Sequence, residues 1–427
     1  MGTTQEVEIL TLEDCLRIGI DNNLSLEGKR KEIQKSKYGV SENRSKLLPQ
    51  INAIAGYNNN FDPPVSVTDG SSYGVPYNIT KTLQHSANAG LEMQMPLFNQ
   101  TLYTSMSIAK VMEEISRLSY GKAREDVILQ ISKMYYLGQV TAEQIMLIKA
   151  NIIRLEELRD ITQAFFDNGM SMEVDLKRVN INLENLKVQY DNAQAMMKQQ
   201  LNMLKYIMDY PAEKEIALTP VNTDSITTVA LTGLSENIYE LQLSQSQVQL
   251  AERQKKIITN GYIPSLSLTG SWRYAAYTDK GYHWFHSGPS NQWFRSYGVG
   301  LTLRIPIFDG LDKTYKIKKA MIDIENKRLA WEDARKNLQT QYLNAVNDLM
   351  NNQRNFKKQK DNYLLAEDVY AVTSDRYREG IASMTEVLQD EMQMSEAQNN
   401  YISAHYNYRV TNLMLLKLTG QIESLVK

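Results

Sequence analysis

Cysteine is nearly absent from this chain. Cys15 is the only one in 427 residues, which excludes an intrachain disulfide, and its place in the helical pattern "LTLEDCLRIGI" reads as packed core. No window approaches 18 consecutive apolar residues, so no helical membrane span is expected. That does not touch a membrane β-barrel, whose alternating strands leave only a weak hydropathy trace. The opening "MGTTQEVEIL" lacks the basic and apolar regions of a secretory signal, and Met1-Gly2 is compatible with a start that replaces a removed signal peptide. Charge of one sign is missing too: 47 Lys and Arg against 49 Asp and Glu give a net charge of -2, which argues against a nucleic-acid partner.

Catalytic constellations are equally scarce. No glycine-rich phosphate loop, Ser-His-Asp arrangement or paired-carboxylate pocket stands out, so neither an enzyme nor a cofactor is expected. His283 and His286 in "HWFH" have no acid or cysteine nearby and read as loop histidines rather than a metal pair. What the chain does have is 42% hydrophobic residues, enough for large buried surfaces.

It also has an internal repeat. "MPLF" around Pro96 returns as "IPIF" around Pro306, a shift of 210 positions. Gly169 in "FFDNGM" returns as Gly380 in "RYREGI" at 211, and "LPQI" at Pro49 returns as "IPSL" at Pro264 at 215. A shared spacing over so many positions marks a tandem duplication. The first repeat is expected over 1–210, with strands at about 50–61 and 86–96 and a long helical hairpin over 99–208. A linker over 209–234 follows. The second repeat covers 235–427, with strands at about 264–277 and 296–306 and a hairpin over 309–419.

The four strands alternate. Leu266, Leu268, Gly270, Trp272 and Tyr274 share one face, opposite Ser265, Ser267, Thr269, Ser271 and Arg273. Tyr297, Val299, Leu301, Leu303 and Ile305 repeat the pattern, as do Ala87, Ala89, Leu91, Met93 and Met95. No further strands or short amphipathic helices are expected to cover the apolar face. The connecting segments 61–84 and 276–297 read as loops rich in Tyr, Trp and Phe, residues favoured at membrane boundaries. Pro96 and Pro306 are expected to end their strands, with Asn99 and Asp309 capping the helices that follow.

Residues 99–167 and 309–378 contain no internal proline, and 60 helical residues alone would reach on the order of 90 Å. Their apolar positions keep heptad time: Ile317, Ile324, Trp331, Leu338 and Ala345, then Leu349, Phe356, Tyr363, Tyr370 and Tyr377. In the returning helices Leu176, Leu183, Tyr190, Met197 and Leu204 are matched by Val387, Met394, Tyr401, Tyr408 and Leu415. A strict seven-residue period implies left-handed coiled-coil packing. Four strands cannot close a barrel, so several copies must share one sheet; two copies give eight strands with a filled interior, and three give twelve with a lumen. The rival reading is a soluble coiled-coil scaffold or secreted interaction protein whose strands pair between copies without lipid.

The duplicated order, "LTLEDCLRIGIDNN", the strand openings "LLPQI" and "YIPSL", "LRIPIFDG" and "RYREGIASMTEVL" together resemble the TolC-like outer membrane efflux proteins over nearly the full length. The resemblance implies a mainly α fold with β: long antiparallel coiled-coil hairpins joined to a four-strand contribution to a trimeric twelve-stranded outer-membrane barrel. It implies a homotrimer in the outer membrane of a Gram-negative bacterium, in contact with outer membrane lipid, with the helical tunnel in the periplasm. A periplasmic adaptor and an inner-membrane transporter are the implied partners, and residues 209–234 resemble the equatorial region.

Site candidates follow from the two helical turns. Asp175 lies six residues beyond Gly169 and Glu386 six beyond Gly380, so equivalent acids stand at both inner turns. Acidic rings set cation preference in narrow entrances. The resemblance places gate acids at these two spacings, and a further family acid is Gln389 here. Ser383 and Glu386 also fit a capping box, which is an alternative role for Glu386. Asn168, Gly169 and Met170, with Glu379, Gly380 and Ile381, resemble the family's adaptor-docking tips; the alternative is that each glycine only permits a positive φ.

Overall fold

The computed structural model describes residues 7–220, 233–279 and 292–426, and the chain forms two compact units. Neither unit is one sequence repeat. Unit 1 takes Met1–Ile33, Ser116–Gln245 and Leu329–Lys427; unit 2 takes Gln34–Ile115 and Ser246–Arg328. Each therefore assembles matching pieces of both repeats.

Unit 2 is built on a sheet of order β2-β5-β7-β8 with every pair antiparallel, comprising β2 (Gln50–Asn59), β5 (His85–Phe98), β7 (Ser265–Thr278) and β8 (Trp293–Arg304). Gln50 opposes Gln94 in one hairpin and Ser265 opposes Arg304 in the other, so both hairpins keep one register under the shifts of 215 and 210. The central pair β5–β7 joins the two repeats: Leu91 faces Trp272 and Met95 faces Leu268 on the apolar side. That apolar face is uncovered in the single chain, with Val299 81% and Tyr297 77% exposed. The outer edges of β2 and β8 have no strand partner among the described residues.

Two expectations about the strands are corrected. More than four strands exist: the segment read as a loop after β2 contains a second hairpin, β3 (Val65–Asp69) with β4 (Tyr77–Lys81), turning through Gly74 at φ +70°. Alternating Val65, Val67, Tyr77 and Ile79 is the strand signal that its Pro and Gly content obscured. Pro96 does not end its strand; β5 runs to Phe98, and the register shifts between Pro96 and Phe98. A proline has no N–H for the ladder and is tolerated at such an irregularity. Pro306 lies two residues past the end of β8.

The junctions into the long helices also differ. Asn99 accepts the N–H groups of Thr101 (3.0 Å) and Leu102 (3.3 Å) through Oδ1, and α3 (Gln100–Asp167) starts at once. In the second repeat, which opens on α5 (Tyr239–Asn260), Gly310 and Leu311 both take φ +67°, so α6 (Asp312–Arg378) starts three residues later than expected, although Asp309 Oδ2 still accepts the Lys313 N–H at 3.2 Å.

Unit 1 is helical. At its start a short parallel pair, β1 (Glu8–Leu10) and β6 (Ile216–Leu218), ties the N-terminal segment to the linker after the first repeat. The N-terminal segment forms two helices, α1 (Leu12–Asn22) and α2 (Leu24–Ser45), because Asn23 takes ψ 119° and accepts the Leu26 N–H as a side-chain cap. Thr11 and Asp14 close a capping box on α1. Cys15 is fully buried in the largest apolar cluster, and burial pushes its thiol up to about 12, as for a core residue.

The returning helices α4 (Glu173–Met208) and α7 (Met384–Leu418) bury heptad stripes. In α4 the expected series is buried at Leu183 and Leu204 and half-buried at Leu176, Tyr190 and Met197, while Val179, Leu186, Ala193, Gln200 and Ile207, three residues further on, form a fully buried series. In α7 the apolar series Val387, Met394, Tyr401, Tyr408 and Leu415 is buried, and beside it runs a polar one: Glu391, Gln398, His405 and Asn412. Gln398 finds its partner on α3 and His405 one turn along α7 itself, while Tyr401 of the apolar series also reaches α3. Gln398 Oε1 accepts from Asn151 Nδ2 at 2.7 Å; Arg409 Nε donates to His405 Nε2 at 2.9 Å; Tyr401 donates to Glu143 Oε1 at 3.0 Å. Burial raises the Glu391 carboxyl above its ordinary range, with Arg154 opposing. Among the described residues no helix is long and apolar enough to cross a membrane.

Candidate functional site

Both turns between long helices end the same way. Gly169 takes φ +73°, its N–H reaches the Phe166 carbonyl at 2.9 Å, and the Met170 N–H reaches Phe165 at 2.7 Å. Gly380 takes the same φ +73°, with Gly380 bonded to Tyr377 at 2.9 Å and Ile381 to Arg376 at 2.8 Å. These are Schellman closures: a left-handed residue satisfies the orphan carbonyls of the helix end, and glycine takes that conformation without steric cost. A Cβ at either glycine would meet open space, so the glycines are required by backbone conformation and not by crowding. Asn168 Nδ2 also bonds the Ala164 carbonyl at 2.7 Å. Glu379 is exposed, as are Met170 and Ile381, which project 69% and 62% exposed apolar side chains from the two tips.

Asp175 and Glu386 occupy the same third helical position of α4 and α7, yet their environments differ. Glu386 Oε2 accepts the Ser383 N–H at 2.8 Å and the Ser383 hydroxyl at 3.2 Å, while Ser383 Oγ accepts the Glu386 N–H at 3.3 Å. This is the capping box, and those bonds hold the carboxyl below its ordinary range. Asp175 has no such cap, since the N-cap of α4 is Met172. Its half-buried carboxylate instead accepts from Arg178 at 3.3 Å, and the same Arg178 nitrogen donates to Thr385 Oγ1 at 3.3 Å. Arg178 thereby bridges the first turn to the second, next to Glu386. Gln389 is exposed one turn further along α7.

The two tips are packed on each other within unit 1. Phe165 and Tyr377 are in ring contact at 5.7 Å, and the Tyr377 hydroxyl donates to Thr162 Oγ1 at 3.3 Å. Arg378 reaches Glu157 at 3.3 Å, and Arg154 reaches Glu367 at 3.1 Å. Arg178 and Thr385 did not emerge from the sequence. The three-residue spacing of Asp175 and Arg178 on one helix was a readable signal, whereas the contact to Thr385 spans 207 positions. His283 and His286 lie outside the described residues; among the described ones no group of three or more His, Cys, Asp or Glu could hold a metal.

Glu386 and Glu391 sit on one helix with opposite shifts, so their amide variants move stability in opposite directions. The folded pKa of Glu386 is depressed, and its contribution is present above the ordinary value of 4.5 and lost as pH falls through the folded value. Glu386→Gln therefore lowers the melting temperature at neutral pH, with the deficit closing in acid. Glu391 is raised, so its ionisation opposes folding as pH climbs. Glu391→Gln raises the melting temperature at neutral pH and is silent in acid. Melting curves of both variants between roughly pH 3 and 8, a window bracketing ordinary carboxylates, check the signs.

The profile of the family described as Outer membrane efflux protein matches residues 18–208 and 230–421, in two segments that follow the internal repeat. Outer membrane protein TolC of Vibrio cholerae is 21% identical over 399 residues, covering 90% of this chain and 84% of that protein. The probable efflux pump outer membrane protein TtgC of Pseudomonas putida is 23% identical over 379 residues, covering 84% and 75%. Among solved structures the fold is shared with the channel CusC (TM-score 0.79, 15% identity, 98% and 94% covered). It is also shared with the open MtrE outer membrane channel of Neisseria gonorrhoeae (TM-score 0.76, 18% identity, 98% and 93% covered). With both repeats matched over most of their length, the chain belongs to the outer membrane efflux protein family.

Proposed function

We propose that this chain is the outer membrane conduit of a tripartite efflux system, a passive path from periplasm to exterior opened by a periplasmic adaptor and an inner-membrane transporter. The observation that carries this reading is the β2-β5-β7-β8 sheet, with its two open edges, uncovered apolar face and polar opposite face. In lipid every backbone polar group must be bonded, so an open edge has to find another strand. Three copies supply twelve strands, enough for a lumen, and turn the apolar faces to lipid with Trp272, Trp293 and Tyr297 suited to its boundaries. The helical hairpins form the periplasmic tunnel. A soluble scaffold would leave a sheet face this apolar in water, which is costly.

In this reading the Schellman tips dock the adaptor, with Met170 and Ile381 as apolar knobs, and the Asp175–Arg178–Thr385 bridge holds the entrance shut. Glu386 serves first as the cap of α7, and its carboxylate lies beside that bridge.

Light scattering in detergent is expected to give three copies per particle, with precipitation when detergent is removed; a monomer soluble without detergent would sink the conduit. Arg178→Ala should raise single-channel conductance in a planar bilayer by about two-fold or more, as loss of a constriction bond does. Asp175→Ala should act in the same direction, and an unchanged current would reduce both residues to helix-end pairing. Met170→Glu with Ile381→Glu should abolish crosslinking to a periplasmic adaptor while trimers still form. Undiminished crosslinking would remove the tips from the docking surface.

A further inference from the structure

The polar face of the β2-β5-β7-β8 sheet carries a charge pattern that conduction alone does not require. Along the middle of its strands only two residues on that face are charged among those described, Glu92 on β5 and Arg273 on β7, and Arg273 Nη2 donates to Glu92 Oε1. Arg304 is the last residue of β8, opposite Ser265, some six residues along the sheet and on the order of 20 Å away.

Each charge belongs to one repeat alone. At the shift of 210 the counterpart of Glu92 is Thr302, and at 215 the counterpart of Arg273 is Asn58, both neutral. The repeats thus differ by one negative and one positive residue, and the two meet across β5–β7, where the repeats join. Local geometry makes room for the pair. Arg273 stands directly opposite Gly90, where a Cβ would lie 2.3 Å from the Trp272 carbonyl oxygen, and beyond Ser271 the next strand presents Gly298. Glu92 borders an open recess of about 500 Å³, and Glu92 and Arg273 stay 46% and 41% exposed, so they add little to stability as an ion pair.

We propose that Glu92 and Arg273 are the charge-balancing pair of the pore wall, each cancelling the other's field so that the barrel passes cationic and anionic solutes alike. The proposal rests on the conduit reading, which turns this face to the lumen and repeats the pair three times around it. An isolated wall charge acts on passing ions over a Debye length of about 10 Å at 0.1 M salt and about 30 Å at 0.01 M, whereas a close pair of opposite sign has no net charge to screen.

The test is the reversal potential of purified channels in a planar bilayer under a KCl gradient at low ionic strength, for the wild type, Glu92→Gln, Arg273→Gln and the double variant. Each is also measured with Arg178→Ala, so that a narrow entrance does not mask the barrel. Arg273→Gln should shift the cation-to-anion permeability ratio about two-fold or more toward cations, and Glu92→Gln as far toward anions. The double variant should return to the wild-type value, and Arg273→Lys should not leave it. One reversal potential for all variants overturns the proposal. So does failure of both single-charge variants to form trimers while the double variant forms them, which would make the pair structural. Absence of channels from the wild-type chain is a different result: it removes the conduit, and with it the lumen in which the pair would act.

Discussion

Unpaired backbone at the two edges of one sheet is the constraint on which the rest of this structure depends. Among the described residues of a single chain, β2 and β8 have no outer partners and the apolar side of all four strands is exposed. Neither condition is tolerable alone, because an open edge seeks a strand and an apolar face seeks a nonaqueous contact. In the proposed assembly both are met together, because identical copies complete the sheet within lipid. The polar face, lined by small residues such as Gly90, Gly298 and Gly300, is then left for solutes.

The helical unit solves a different problem. Long helices held only by apolar heptads can slide past one another by whole repeats at little cost, and a polar position in the seam fixes the register. The Gln398–Asn151 and Tyr401–Glu143 bonds do this from α7 toward α3. Glu391, whose buried Oε1 has no hydrogen-bond partner among the described residues, is the part of the seam that carries a penalty.

Much of this was legible in the sequence, and the reasons are specific. Heptads such as Val387 to Leu415 and the alternation of Leu266 to Tyr274 are long periodic signals that need no tertiary information. The glycines at 169 and 380 announced left-handed turns, and Ser383 with Glu386 announced a cap. What stayed hidden depends on local compromise or distance. The strand continues through Pro96 because β5 itself bulges at Leu97, and the β3–β4 hairpin was masked by the turn residues around it. Arg178 could be paired with Asp175 by spacing, but no local rule points to Thr385.

The placement of β5 beside β7 has a kinetic consequence. Residues bonded across that seam, such as Glu92 and Arg273, are 181 positions apart, with two long helices between them. Helices and their hairpins form on microsecond scales, and the two strand hairpins are likewise local, so these elements can be in place before the seam closes. Closing so long a loop costs only about 0.6 kcal/mol more per doubling of its length, so what delays the sheet is the search for register and not the entropy of the loop. In the proposed trimer the last pairings, at the edges of β2 and β8, are between molecules. Completion of the barrel is therefore a concentration-dependent step, and a lone chain that reaches this stage has every local element it needs but no closed wall.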